Sequence, residues 1–166
     1  GFTEFVPLSF VHTEAPMFHE QSLGPIQAGP VAADVLRTYA IARLVLGEDI
    51  PNLQASWVKE GLPMAQRLLD CGVNDLGGTL INESISTSAG AQHGQCVGPT
   101  ELRSAVRKRG RVPVQRTTSY DIIHRFVRPE EDPDDPLEQV RGTEHFGSYA
   151  ELVADKRWRY RGAQRS

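Results

Sequence analysis

Asn52-Leu53-Gln54-Ala55-Ser56-Trp57-Val58 is the stretch whose reading decides the fold. Pro51 introduces it, and its mix of apolar, β-branched and aromatic residues predicts a short strand. Gln54 and Ser56 share one parity, and Trp57 lies on the other. Two orientations follow. With the polar pair turned inward, Gln54 and Ser56 offer hydrogen bonds to a ligand and Trp57 packs. In the reverse register Trp57 becomes a stacking surface.

Helix patterns flank this strand on both sides. Upstream, Ala32 to Leu46 carries Leu36, Tyr39, Ala40 and Leu44 at helical spacing, with Arg37 and Arg43 for the rim. Gly47 suits the C-cap of that helix. Downstream, a second helix runs from Leu62 to Cys71. Pro63 sits in its first turn, where a missing N–H costs little, and Leu62, Ala65, Leu68 and Leu69 form its apolar face. Gly72 ends it.

Further out lie two more strand-like segments. Phe2 to Val11 places Phe2, Val6, Leu8 and Phe10 on one parity together with Glu4, and Val73 to Leu80 follows the second helix. The order strand, helix, strand, helix, strand predicts an α/β fold with a parallel sheet. The expected architecture is half of a TIM-type (β/α) barrel, its C-terminal half, with an irregular C-terminal extension. Chemistry in such folds sits beyond the C-terminal strand ends. That rule gathers His12-Thr13-Glu14, Trp57-Val58-Lys59, and Gly77-Gly78-Thr79 with Asn82-Glu83-Ser84 at one mouth.

The remaining chain is less regular. His12 to Pro30 holds Pro16, Gly24, Pro25, Gly29 and Pro30 and predicts a long loop. A third helix is expected over Pro99 to Lys108, then an extended piece over Val112 to Tyr120. The acidic, proline-rich run Glu130 to Pro136 has linker composition. Lys156 to Arg161 is basic and aromatic, a pattern that can stack on RNA bases but is short enough to read as a solvated tail. Two units are expected: residues 1–120 as the barrel half and 121–166 as linker and flexible tail.

The candidate binding residues are Glu4, His12, Gln54, Thr79, Asn82 and Glu83. Glu4 shares a parity with apolar residues, so it faces either solvent or an interior where a carboxylate needs a partner. Gly77 and Gly78 permit close approach of a ligand. Thr79, Asn82 and Glu83 then present hydroxyl, amide and carboxylate groups to it, or else form a capped turn. His12 is a candidate acid or base at the mouth. The other four histidines are too scattered for a metal motif.

Composition limits the function classes. The chain has 166 residues, 39% of them hydrophobic and 23% charged, with a formal net charge of -3. Those values are ordinary for a globular domain, and the charge argues against a general nucleic-acid role. No run reaches the roughly 18 apolar residues of a membrane span, so no membrane is expected and the expected compartment is the cytoplasm. Cys71 and Cys96 form no C-x-x-C pair, which leaves no zinc knuckle or disulfide framework to propose. Gly1 opens on strand-like sequence, so further residues are expected upstream.

Three strings carry a resemblance: Phe2 to Phe10, Asn52 to Lys59, and Gly72 to Ser86. They resemble the C-terminal half of the FO synthase subunit 2 family, and Ala89 to Gly94 and Gln115 to Tyr120 are similar to it as well. The resemblance covers about residues 1–120. It implies a radical S-adenosylmethionine barrel in which a 4Fe-4S cluster cleaves S-adenosylmethionine. The radical formed attacks L-tyrosine, whose hydroxybenzyl unit is joined to 5-amino-6-(D-ribitylamino)uracil. FO synthase subunit 1, or a fused equivalent, closes the product to 8-hydroxy-5-deazariboflavin. The family's C-x-x-x-C-x-x-C motif has no counterpart here, so the resemblance implies a missing N-terminal half and a chain that is inactive alone. Two alternatives stay open. The menaquinone-pathway enzymes of the aminofutalosine synthase and futalosine cyclase types are similar over the same strings, and a non-catalytic binding module would also lack the motif.

Overall fold

In a computed structural model of the chain, residues 1–80, 83–94, 96–139 and 154 are described. Helix α1, Pro16–Glu20, lies within the stretch expected to be loop. Helix α2 spans Ala32–Leu46 and ends on Gly47, whose N–H donates to the Arg43 carbonyl. Helix α3, Trp57–Glu60, and helix α4, Leu62–Leu68, follow closely, and a 3₁₀ turn over Leu69–Cys71 extends α4 to Gly72. Helices α5, Ser84–Ser88, and α6, Pro99–Arg107, come next. Strands β1, Val114–Arg116, and β2, Ile122–Arg125, then form an antiparallel hairpin.

The three segments expected as strands meet in parallel, over a short length. Phe5 bridges Leu53, and Gln54 bridges Asp75, both in the parallel sense. Four backbone hydrogen bonds lock them: Phe5 N–H to Asn52 O, Gln54 N–H to Phe5 O, Asn74 N–H to Leu53 O, and Ala55 N–H to Asp75 O. The middle segment is shorter than its composition suggests, because the chain turns into α3 at Trp57. There Ser56 O accepts the N–H groups of Lys59 and Glu60, and Gly61 closes the turn.

The core lies between these segments and the helices. Val35, Tyr39 and Ala42 of α2 pack with Leu53, Ala55 and Trp57, with Ala65, Leu68 and Leu69, and with Val73. Tyr39 is 1% exposed and Trp57 2%. Burying one such aromatic side chain contributes on the order of 2 kcal/mol or more. The buried face of α2 differs from the expected stripe: Leu44 is 83% exposed, and Arg43 reaches across to the Gly72 carbonyl at 2.7 Å. Ile41, Leu44 and Val45 make α2 apolar nearly all round, so periodicity alone cannot select the face that the segments cover.

On the first segment, Phe2 is 80% exposed and Leu8 64%, so this parity leaves apolar side chains uncovered. At the other end of the described chain, Asp132 sits against α6. Its carboxylate receives both Nη groups of Arg107, at 2.6 and 2.7 Å. Arg103 Nε lies 2.9 Å from the same carboxylate as an ion pair rather than an aligned hydrogen bond. The acidic run with linker composition therefore supplies an anion to the cationic face of α6.

Candidate functional site

A row of polar side chains crosses the three parallel segments on the side away from the core. Leu53, Ala55 and Trp57 are buried, which turns Gln54 and Ser56 to the opposite face. Glu4 Oε2 accepts from Gln54 Nε2 at 2.9 Å and from the Tyr120 hydroxyl at 2.5 Å. Beside them Asp75 Oδ1 accepts the Gly77 N–H at 2.6 Å, and Asp75 Oδ2 pairs with Arg116 Nε. The Arg116 guanidinium carbon stands 4.0 Å from the centroid of the Tyr120 ring. Carboxylate, amide, phenol, guanidinium and carboxylate thus form one connected set.

The hairpin delivers two of these groups. Arg116 ends β1, and Tyr120 occupies the turn to β2 with a positive φ of 68°. Burial first, and then the hydrogen bond to Glu4, push the Tyr120 phenol above the ordinary tyrosine value. The phenol therefore stays protonated and acts as a donor. Asp75 raises the Arg116 guanidinium in turn, first through its hydrogen bond. Sequence reasoning placed Glu4 and Gln54 here and missed Asp75, Arg116 and Tyr120. Asp75 falls inside the string Gly72 to Ser86 and the last two inside Gln115 to Tyr120, and those strings, which carried the resemblance, were the available signal.

The segment ends hold a second group. Trp57 Nε1 donates to the Gly78 carbonyl at 3.0 Å, so Trp57 packs and ties two segments together. Lys59 Nζ lies 2.7 Å from Ser86 Oγ. Thr79 is half-buried near this end. Glu83 uses its side chain locally: Oε1 accepts the Ser86 N–H at 2.8 Å and caps α5. Asn82 lies outside the described residues.

His12 is placed on a pocket of about 290 Å³, whose lining includes Ser9, Phe10, Val35, Lys59, Glu60 and Met64. Ser9 Oγ donates to Glu60 Oε1 at 2.5 Å, and His12 Nδ1 accepts the Gly29 N–H at 3.0 Å. A Cβ on Gly29 would run into the Phe10 carbonyl oxygen, so only glycine lets the two backbones approach here. The six residues singled out in the sequence thus divide. Glu4 and Gln54 touch each other, His12 lines the pocket, Thr79 and Glu83 lie by the segment ends, and Asn82 is outside the described residues.

The thiols do not fit an iron–sulfur cluster. Cys71 closes the 3₁₀ turn after α4, Cys96 lies before α6, and two thiolates fall short of the three that a C-x-x-x-C-x-x-C set supplies. Among the described residues, no group of three or more His, Cys, Asp or Glu is placed to hold a metal ion. No helix among them is long and apolar enough to cross a membrane.

Residues 1–128 match the family model described as CofH/MqnC C-terminal region. Over 123 residues the chain is 49% identical to a protein of Methanocaldococcus jannaschii named 5-amino-6-(D-ribitylamino)uracil--L-tyrosine 4-hydroxyphenyl transferase, covering 74% of this chain and 33% of that relative. Proteins of the same name from Methanopyrus kandleri and Methanococcus aeolicus are 52% and 46% identical over 123 residues, covering 74% of this chain and 32% and 33% of those relatives. The chain spans about a third of the length of the curated relatives it matches.

Proposed function

The chain belongs to the CofH/MqnC C-terminal-region family, and from that premise we propose that it forms part of a transferase joining the 4-hydroxybenzyl group of L-tyrosine to 5-amino-6-(D-ribitylamino)uracil. One observation carries this reading: 45–52% identity, over three quarters of the chain, to several relatives that bear the transferase name. The geometry supports it. Parallel segments with helices on one side and a connected polar row on the other suit one part of a (β/α) barrel, with the row facing the interior.

The radical chemistry then falls to S-adenosylmethionine and a 4Fe-4S cluster held by a separate, upstream portion of the protein. The cysteines here do not hold the cluster. The work of this chain is to bind and orient. Glu4 accepts hydrogen bonds, Gln54 donates and accepts, and Tyr120 donates from a phenol kept neutral. Such groups suit the alternating N–H and C=O edge of a uracil ring. Once a substrate covers the row, water is excluded from it and each hydrogen bond strengthens. A partner of the FO synthase subunit 1 type would close the coupled product.

The test is co-expression with a cluster-bearing upstream portion from a relative, anaerobic reconstitution, and mass spectrometry. Deoxyadenosine together with a hydroxybenzyl–diaminouracil adduct is expected. The family description also names MqnC, so futalosine-type nucleosides belong in the same assay. Their turnover in place of tyrosine and diaminouracil would overturn the proposal.

A further inference from the structure

The hairpin that carries Arg116 and Tyr120 rests on the polar row through side chains. Among the described residues, no backbone hydrogen bond joins β1 or β2 to the three parallel segments. Tyr120 meets Glu4 and Arg116 meets Asp75. Apolar packing adds little along the strands, since Val114, Ile122 and Ile123 are 40% exposed or more. Tyr120 also holds a φ of 68°, a conformation that a residue other than glycine keeps only where its surroundings impose it. Something away from the row must therefore fix the hairpin.

That support lies at its open end. Pro113 and Phe126 are buried there, and the Phe126 N–H donates to the Pro113 carbonyl at 2.9 Å. Phe126 is seated on α6. Arg107 Nη2 donates to its carbonyl at 3.1 Å, and the Arg103 guanidinium carbon stands 4.9 Å from its ring centroid. Helix α6 is in turn tied to α4, since Gln66 Nε2 donates to the carbonyl of the buried Ala105 at 2.9 Å. Both arginines share the Asp132 carboxylate. A guanidinium gripped by a carboxylate keeps one geometry, whereas a free one samples many. Asp132 lies past residue 128, where the match to the family model ends. Glu138 fastens the same stretch again, its Oε1 accepting the Thr100 N–H in the first turn of α6.

We propose that Asp132 is a positioning residue for the polar row: it holds Arg103 and Arg107 on Phe126, Phe126 fixes the open end of the hairpin, and the hairpin keeps Arg116 and Tyr120 seated on Asp75 and Glu4. The acidic, proline-rich run is thus a clamp on the hairpin rather than a linker. That the row receives a substrate rests on the transferase reading. The clamp itself does not.

The test is NMR of the full chain carrying ring-labelled tyrosine, with the Tyr120 signals assigned by their loss in Tyr120→Phe. In Asp132→Asn, held well below its melting temperature, those signals should move most of the way to the positions of an exposed tyrosine. Tyr39 in α2 is the internal control. Its hydroxyl donates to the Pro7 carbonyl at 3.1 Å, away from the hairpin contacts, and its signals should stay. A role limited to overall stability would move neither tyrosine in the folded protein. Should Asp132→Asn not fold, Arg107→Lys gives the same reading, because it keeps the charge and loses the fork. Tyr120 signals that stay in place overturn the proposal, and so does movement of Tyr39 together with Tyr120, which would mean a general loosening. If the adduct assay succeeds while Tyr120 stays in place, this inference falls alone. If Tyr120 moves as expected while no adduct forms, this inference stands and the transferase reading falls.

Discussion

The Tyr120 hydroxyl donates to Glu4 across 2.5 Å, joining the hairpin turn to the first parallel segment. Gln54 shares the same carboxylate oxygen at 2.9 Å. Tyr120→Phe removes one of these bonds and leaves the other, and the group is partly exposed, so a loss of about 1 kcal/mol is expected. Glu4→Ala removes the acceptor for both and should lose more. The double variant should lose clearly less than the sum, since both single changes break the same bond. Urea unfolding of the four proteins measures this. Strict additivity would mean that the contact does not form in solution.

Gly72 holds a φ of +97°, and a Cβ there would stand 2.5 Å from Arg43 Cγ and 2.7 Å from Arg43 Cβ. Arg43 cannot simply withdraw. Its Nε donates to the Gly72 carbonyl at 2.7 Å and its Nη1 to the Pro51 carbonyl at 3.0 Å. Gly110 is an internal control, with a φ of +66° and nothing within 4 Å of the same probe. Gly110→Ala should cost about 1 kcal/mol, the backbone share alone. Gly72→Ala should cost roughly 2–3 kcal/mol, because the clash is added. Equal losses in chemical denaturation would show that Arg43 yields freely.

Local chemistry explains how much of this was legible in advance. The helices expected over Ala32 to Leu46 and Leu62 to Cys71 follow from spacing and from Gly47 and Gly72 as stops, and both are present, the second finishing as a 3₁₀ turn over Leu69–Cys71. The parallel contacts of the three segments are present as well, but as single bridges at Phe5, Leu53, Gln54 and Asp75. Residue type says which segments extend and not how far pairing runs. The packing of Trp57 was one of two open registers, and burial of Leu53 and Ala55 beside it settles which. The polar row was only half legible. Glu4 and Gln54 stand on predicted strands, whereas Arg116 and Tyr120 reach them through a hairpin turn with a positive φ at Tyr120. No periodicity announces a contact between residues so distant in the chain. Glu83 shows the converse, since a carboxylate near a helix start is as apt for capping as for a ligand, and here it caps.

Asn74 fastens the middle segment to its neighbours. Its Oδ1 accepts the Leu53 N–H at 2.8 Å and an Arg43 Nη2 proton at 3.2 Å, and its Nδ2 donates to the Pro51 carbonyl at 3.1 Å. Leu53 is buried, so its N–H has no access to water once the amide is gone. Asn74→Ala should cost about 2–3 kcal/mol, one unsatisfied donor plus the lost amide contacts. Asn74→Asp keeps the acceptor and adds a charge next to Arg43, so it should recover most of the loss. Thermal melts of both variants check this. An aspartate variant no better than alanine would contradict it.

Asp132 makes the stability of the chain depend on acid. Its carboxyl is held below the ordinary aspartate value, first by the hydrogen bonds from Arg107 and further by the charge of Arg103, against an opposing effect of burial. Arg103 itself lies over the Phe126 ring at 4.9 Å, so releasing Asp132 would loosen the contact between α6 and the hairpin end. The sign follows from linkage. An unfolded aspartate titrates near pH ~3.9 and the folded one lower, so the folded state binds fewer protons between the two values. The stabilisation is therefore complete above about pH 4 and is lost as pH falls through the folded value. Asp132→Asn should lower the melting temperature at neutral pH. The gap between the two proteins should narrow as pH falls below about 4. Other carboxylates titrate in the same range, so the readout is that gap and not either curve alone. A gap that stays constant from neutral pH down to pH ~2 would mean that Asp132 is not held by the two arginines in solution.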